Sequence, residues 1–191
     1  FYLGIGDFEF AEDNYKKVDL RVVTTPGKCK NAKFALEHAK KYLQYFEYYS
    51  EIPYPLEKLD LIAVPDFSAG AMENWGAITF RELLLLVDEK TTSTGVKKRV
   101  AEVIAHELWH QWSGNLVTMD WWNDLWLNES FASYMALLAV DRALGAGEGA
   151  WQGFFNFKGW GYWQDQLVTT HPIVVPVLDT DMADSIFDGI T

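Results

Sequence analysis

Apolar residues recur along this chain at two spacings, and the changes from one to the other mark its elements. Val18 to Thr24 is a short β-branched run that reads as a strand, and Leu59 to Val64 reads as another, closed by Pro65. A further strand is expected near Trp75 to Phe80, after a loop that runs through Gly70. Lys33 to Tyr49 instead lines up Ala35, Ala39, Tyr42, Phe46 and Tyr49 on one stripe, which is the helical spacing. Val96 to Trp112 repeats that spacing with Val100, Val103, Ile104 and Leu108. The hydroxyls of Thr91 to Thr94 offer it a start, and Ser113-Gly114-Asn115 a stop. Leu125 to Leu144 reads as one more apolar helix, and no internal repeat or low-complexity tract interrupts the series.

Composition bounds what such a set of elements can be. With 191 residues, 49% of them hydrophobic and nine of them Trp, the chain has the length of one domain and enough apolar surface for a packed core. Its net charge of −11 opposes nucleic acid and anionic membrane surfaces as partners. The same charge suits a site that receives cationic peptide ends, although plain solubility explains it better. Cys29 is the only cysteine, so no intrachain disulfide can form. A reducing, cytoplasmic setting is the expectation. The longest apolar run, Leu83 to Val87, is far shorter than the about 20 residues that span a bilayer, so no direct membrane contact is expected.

The chemistry is concentrated in His106-Glu107-Leu108-Trp109-His110. At about 100° per helical residue, His106 and His110 lie about 40° apart on one face, where two imidazoles can reach one zinc ion. Glu107 is turned about 100° away, poorly placed as a ligand and well placed to take a proton from water. By composition alone, this pattern arises in about one in a few hundred chains of such length. A second feature narrows the choice: Glu129 stands nineteen residues after His110 and opens the next apolar helix. Two His and one Glu form a recognised catalytic zinc set that leaves a fourth position open.

Taken with Gly70-Ala71-Met72-Glu73-Asn74, these motifs resemble the aminopeptidase-N-like family of zinc gluzincins. The likeness runs from Leu3-Gly4-Ile5-Gly6-Asp7-Phe8 through Trp121 to Ser130 and on to Thr170-His171-Pro172. It implies an α+β, thermolysin-like catalytic domain, with a small mixed sheet followed by a helical zinc-binding region. It implies one zinc on His106, His110 and Glu129, with Glu107 as general base. It further implies a substrate segment of Gly70, Ala71, Met72, Glu73 and Asn74, in which Glu73 binds the free α-amine and Met72 lines the pocket. The implied substrates are peptides with a free N-terminus, and an endopeptidase would have no need of the amine anchor.

Three departures accompany the likeness. Trp109 stands where relatives usually carry a small residue, and Ser113 where many carry Phe. Relatives also place an oxyanion-binding Tyr after a stretch like Phe187 to Thr191, where this sequence stops. Residues 1–16 are expected to be the tail of a preceding β-domain, and 17–191 a catalytic domain truncated at its C-terminal end. The partners then include the remaining domains of a parent chain, and a non-catalytic zinc-binding fragment is the reading from another class. Asp124 is a candidate outer partner for a zinc histidine, in competition with a backbone oxygen. His38 is expected on the solvated surface.

Overall fold

The strands are rich in apolar residues, and one face of the sheet they form packs against helices. The computed structural model describes residues 2–145 and 149–191. Its five-stranded sheet is built from Glu9–Tyr15 (β1), Val18–Thr24 (β2), Lys58–Val64 (β3), Ala71–Met72 (β4) and Ala77–Arg81 (β5). Their spatial order is β1-β2-β3-β5-β4. The three central strands run parallel, and both outer strands, β1 and β4, are antiparallel to their neighbours. This is the small mixed sheet of the expected α+β fold. Residues 9–15, expected in the tail of a preceding domain, form β1 of this same sheet, and the expected boundary falls in the β1–β2 hairpin.

Among the described residues, five α-helices accompany the sheet: Lys33–Ser50 (α1), Thr94–Trp109 (α2), Glu129–Leu144 (α3), Ala150–Asp165 (α4) and Thr180–Ser185 (α5). Leu20, Val22, Leu59, Leu61, Ile78 and Phe80 are buried from the strands against Leu36, Tyr42, Leu43 and Phe46 of α1 and Ile104 and Leu108 of α2. The opposite sheet face carries Arg21, Lys58 and Asp60. There Arg21 grips the Asp60 carboxylate with two hydrogen bonds of 2.6 and 3.0 Å. Tyr49, expected on the buried stripe of α1, is exposed at the last turn of the helix.

Two helix boundaries move from their expected places, and both shifts matter to the site. α2 is capped by Ser93, whose hydroxyl accepts from Val96 N, and it ends at Trp109 rather than Trp112. Beyond that point the amides of Gln111 and Trp112 reach back only three residues, and Gly114 turns the chain with φ 122°. α3 begins at Glu129, because Trp122–Leu127 winds as a tighter 3-10 helix with Asp124 off helical geometry. His110 and Glu129 therefore both sit at helix ends, where the chain can be bent to aim them. α4 buries only Ala150 among its described residues and leaves Trp151, Phe155, Trp160, Tyr162 and Trp163 exposed.

Candidate metal centre

Three parts of the chain deliver the charged groups: α2 and its C-cap bring His106, Glu107 and His110, α3 brings Glu129, and the loop after β4 brings Glu73. Their ligand atoms form two overlapping sets, His106 with His110 and Glu129, and Glu73 with Glu107 and His110. Within each set the atoms lie within 4.8 Å of one another. The Nε2 atoms of His106 and His110 face each other at 3.1 Å, and His106 Nε2 is 3.5 Å from Glu129 Oε2.

The other imidazole nitrogens are held from behind. His110 Nδ1 lies 3.2 Å from the carbonyl of Ser113. A carbonyl can only accept, so Nδ1 carries the proton and Nε2 presents its lone pair. His106 Nδ1 meets the hydroxyl of Ser133 at 3.3 Å. Of the two candidates for this outer role, Asp124 instead accepts from Trp126 Nε1, and the competing backbone oxygen serves His110 while a hydroxyl faces His106. Two converging imidazole lone pairs and a carboxylate are donors that suit zinc. The residues present fit one such ion, with Glu107 left outside the set of His106, His110 and Glu129.

Electrostatics separate the carboxylates. Burial raises the pKa of Glu107 well above its usual range, reinforced by the charges of Glu73 and Glu129. Its Oε2 is buried without a hydrogen-bond partner. Burial also acts to raise Glu129, but the His106 contact, the charges of both imidazoles and the Asn128 amide outweigh it and hold the carboxyl below its usual value. Burial lowers the pKa of His110, and the neighbouring His106 lowers it further, which favours the neutral form a metal ligand requires.

The packing behind the site answers the question of Trp109. Its ring is buried away from the metal face, edge-on to Phe131 of α3 at 5.5 Å and tilted on Phe46 of α1 at 5.2 Å. Trp112 packs beside it and is buried as well, whereas Trp121 is exposed. His38 is not simply solvated: it is half-buried and stacks on Phe34 with ring centroids 3.8 Å apart. His171 pairs with Asp188 at 2.9 Å, far along the chain from the histidines of α2.

The segment Gly70 to Asn74 lies along the sheet's outer edge. Ala71 and Met72 pair with Phe80 and Thr79, and Met72 is half-exposed. Arg81 braces the approach by donating to the carbonyls of Phe67 and Ser68, and Asn74 donates to Thr79 Oγ1. Glu73 follows at once, its carboxylate 3.9 Å from His110 Nδ1. Three residues absent from the expected site hold it: Gln111 and Asn115 donate to its carbonyl, and Asn128 to its carboxylate. Their only mark in the sequence is that they are polar residues close to the motifs.

Comparison with known proteins places this arrangement. The description "Peptidase family M1 domain" matches residues 34–191. The chain is 50% identical over 190 residues to "Probable aminopeptidase 1" of Sulfurisphaera tokodaii, covering all of this chain and 24% of that protein. It is 47% identical over 194 residues to "Tricorn protease-interacting factor F2" of Thermoplasma acidophilum, again covering all of this chain and 24% of the relative. To "Aminopeptidase M1-A" of Oryza sativa it is 47% identical over 188 residues, 98% of this chain and 21% of that protein. The chain thus spans about a quarter of the length of the curated relatives it matches.

Proposed function

The chain belongs to peptidase family M1, and on that premise we propose that it works as the catalytic part of a zinc-dependent aminopeptidase acting on peptides with a free N-terminus. One observation carries the reading beyond the family: a carboxylate on the sheet edge, Glu73, shares one cluster with Glu107 and His110. An ammonium held by Glu73 puts the first peptide bond at a fixed distance from the proton carrier, so the site counts one residue from the end.

His106, His110 and Glu129 would hold the zinc ion, which when bound supplies a Lewis acid and lowers the pKa of water. Glu107 moves the proton. Its Oε2 takes one from water and returns it to the departing amine, and burial raises its proton affinity. Glu73 binds and orients the substrate amine. The outer edge of β4 offers backbone groups to an extended peptide, which would add to the sheet as one more strand.

The test is made in the full-length, zinc-loaded protein. Glu73→Ala should weaken turnover of free-amine peptides by about 2–5 kcal/mol, and acetylating the substrate amine should cost the wild type nearly as much. Internal cleavage of acetylated peptides at comparable rates would instead establish an endopeptidase.

A further inference from the structure

Glu73 needs to be both fixed and charged, and these demands conflict. A Lys or Arg would fix a carboxylate firmly while cancelling the charge that an incoming ammonium needs. Here the basic side chains nearest Glu73 and Glu129 are the imidazoles of His110 and His106, and among the described residues no Lys or Arg lies within ion-pair distance of either carboxylate. What surrounds Glu73 instead is a set of neutral amides.

Gln111 is fully buried and spans the loop twice: its Nε2 donates to the Glu73 carbonyl at 3.2 Å, and its Oε1 accepts from Gly76 N at 2.9 Å. Asn115 donates to the same carbonyl at 2.7 Å. Asn128 reaches the carboxylate itself, 3.4 Å from Glu73 Oε1, while donating to Glu129 Oε1 at 2.9 Å. Gly114 leaves it room, because any β-carbon there would collide with Asn128 Oδ1.

Resting on the aminopeptidase reading, we infer that Gln111, Asn115 and Asn128 are positioning residues that act as a neutral clamp, aiming the Glu73 carboxylate at the substrate amine without neutralising it. The helix that supplies the histidines thereby also sets the anchor for the substrate, since Gln111 and Asn115 lie in the turn that ends it. Asn128 ties the anchor to Glu129, so the distance from amine to metal is held through one side chain.

Asn115 separates this role from metal binding, because its side-chain contact is to Glu73 alone among the described residues. The full-length, zinc-loaded protein is assayed on a leucyl anilide and on its N-acetyl form, with zinc content and melting temperature measured alongside. Asn115→Ala should retain stoichiometric zinc, raise KM for the free-amine substrate more than it lowers kcat, and reduce the preference for the free amine by about tenfold, the loss expected for one buried hydrogen bond. Asn115→Asp, which cannot donate and adds a charge, should lose at least as much, whereas Asn115→Gln, which keeps the donor, should recover part of the preference. Unchanged preference and KM in both Asn115→Ala and Asn115→Asp would overturn the clamp. Equal losses on both substrates together with a lowered melting temperature would also overturn it, by showing a merely structural role. A wild type that cleaves the acetylated substrate as fast as the free amine would bring down the aminopeptidase reading and the clamp with it.

Discussion

The two sides of the candidate site are fixed by different forces. The side that carries the histidines rests on apolar packing: Ile104, Ala105 and Leu108 of α2 and Ala132, Met135 and Ala139 of α3 are buried against each other and the sheet. The side that carries Glu73 is a half-exposed edge, fixed by directional hydrogen bonds from side chains of α2's terminal turn and of Asn128. Packing resists displacement in every direction but does not specify the orientation of one carboxylate. Hydrogen bonds do specify it, and each one is individually weak. A site proposed to hold a metal firmly and to accept many peptides has reason to use both.

The largest effects should come from the packed side. His106→Ala should abolish zinc binding, whereas Glu107→Gln should keep the metal and lower kcat by about a hundred- to ten-thousand-fold. Metal analysis beside steady-state kinetics distinguishes the two, and stoichiometric zinc in His106→Ala would break the assignment of that face. Ile104→Ala, which opens a cavity beneath the histidines, should cost about 2–5 kcal/mol in denaturant unfolding. Met72→Ala on the edge strand should change stability by no more than about 0.5 kcal/mol. Comparable losses for both would erase the contrast between the two sides.

Gly114→Ala probes the joint between them. The residue sits at φ 122°, and its new β-carbon would meet Asn128, so about 1–3 kcal/mol of stability should be lost. Zinc affinity and free-amine preference should fall together, which isothermal titration and the paired substrates would register.

The smallest effect is expected where the last residues dock. His171 has its pKa raised by the Pro172 carbonyl and by Asp188, against a smaller opposing push from burial. Asp188 is pushed up by burial but held low overall by the amides of Ile190 and Thr191 and by His171. A raised His contributes stability that is complete below its unfolded value of about 6.5 and is lost as pH rises through its folded value. A lowered Asp contributes stability that is complete above about 3.9 and is lost as pH falls through its folded value. The pair should therefore stabilise most between about pH 4 and 6.5, by less than about 1 kcal/mol for so solvated a contact. Thermal melts of wild type and Asp188→Asn across pH 3 to 9 should differ most in that window; a difference that does not shrink as pH rises above the His171 pKa would assign the contribution to the backbone amides alone.

How much of this could be read from the sequence depends on how far apart the interacting residues lie. β2 matches its apolar run residue for residue, and α1 and β3 match within one position, because periodic burial is a local signal. The ends of α2 and α3 were misplaced by three and four residues, since the shorter-range turns after Trp109 and the 3-10 winding before Glu129 leave no mark in apolar spacing. His106 and His110 converge as helical geometry requires. The clamp was invisible for a different reason: Gln111, Asn115 and Asn128 lie 38, 42 and 55 positions from Glu73, and nothing in an amide's sequence neighbourhood says which distant carbonyl it meets. Asp124 shows the converse, a plausible carboxylate beside the motif that turns to a Trp two residues away.

The outer strand β4 is only two residues long, and that brevity bears on timing as much as on grip. A peptide laid along it finds few backbone groups to pair with, so most of its length stays free in water and little ordering entropy is lost on arrival. Weak pairing of this kind shortens the residence of whatever is bound. Under the proposed stepwise removal of N-terminal residues, a short edge favours repeated turnover over tight capture.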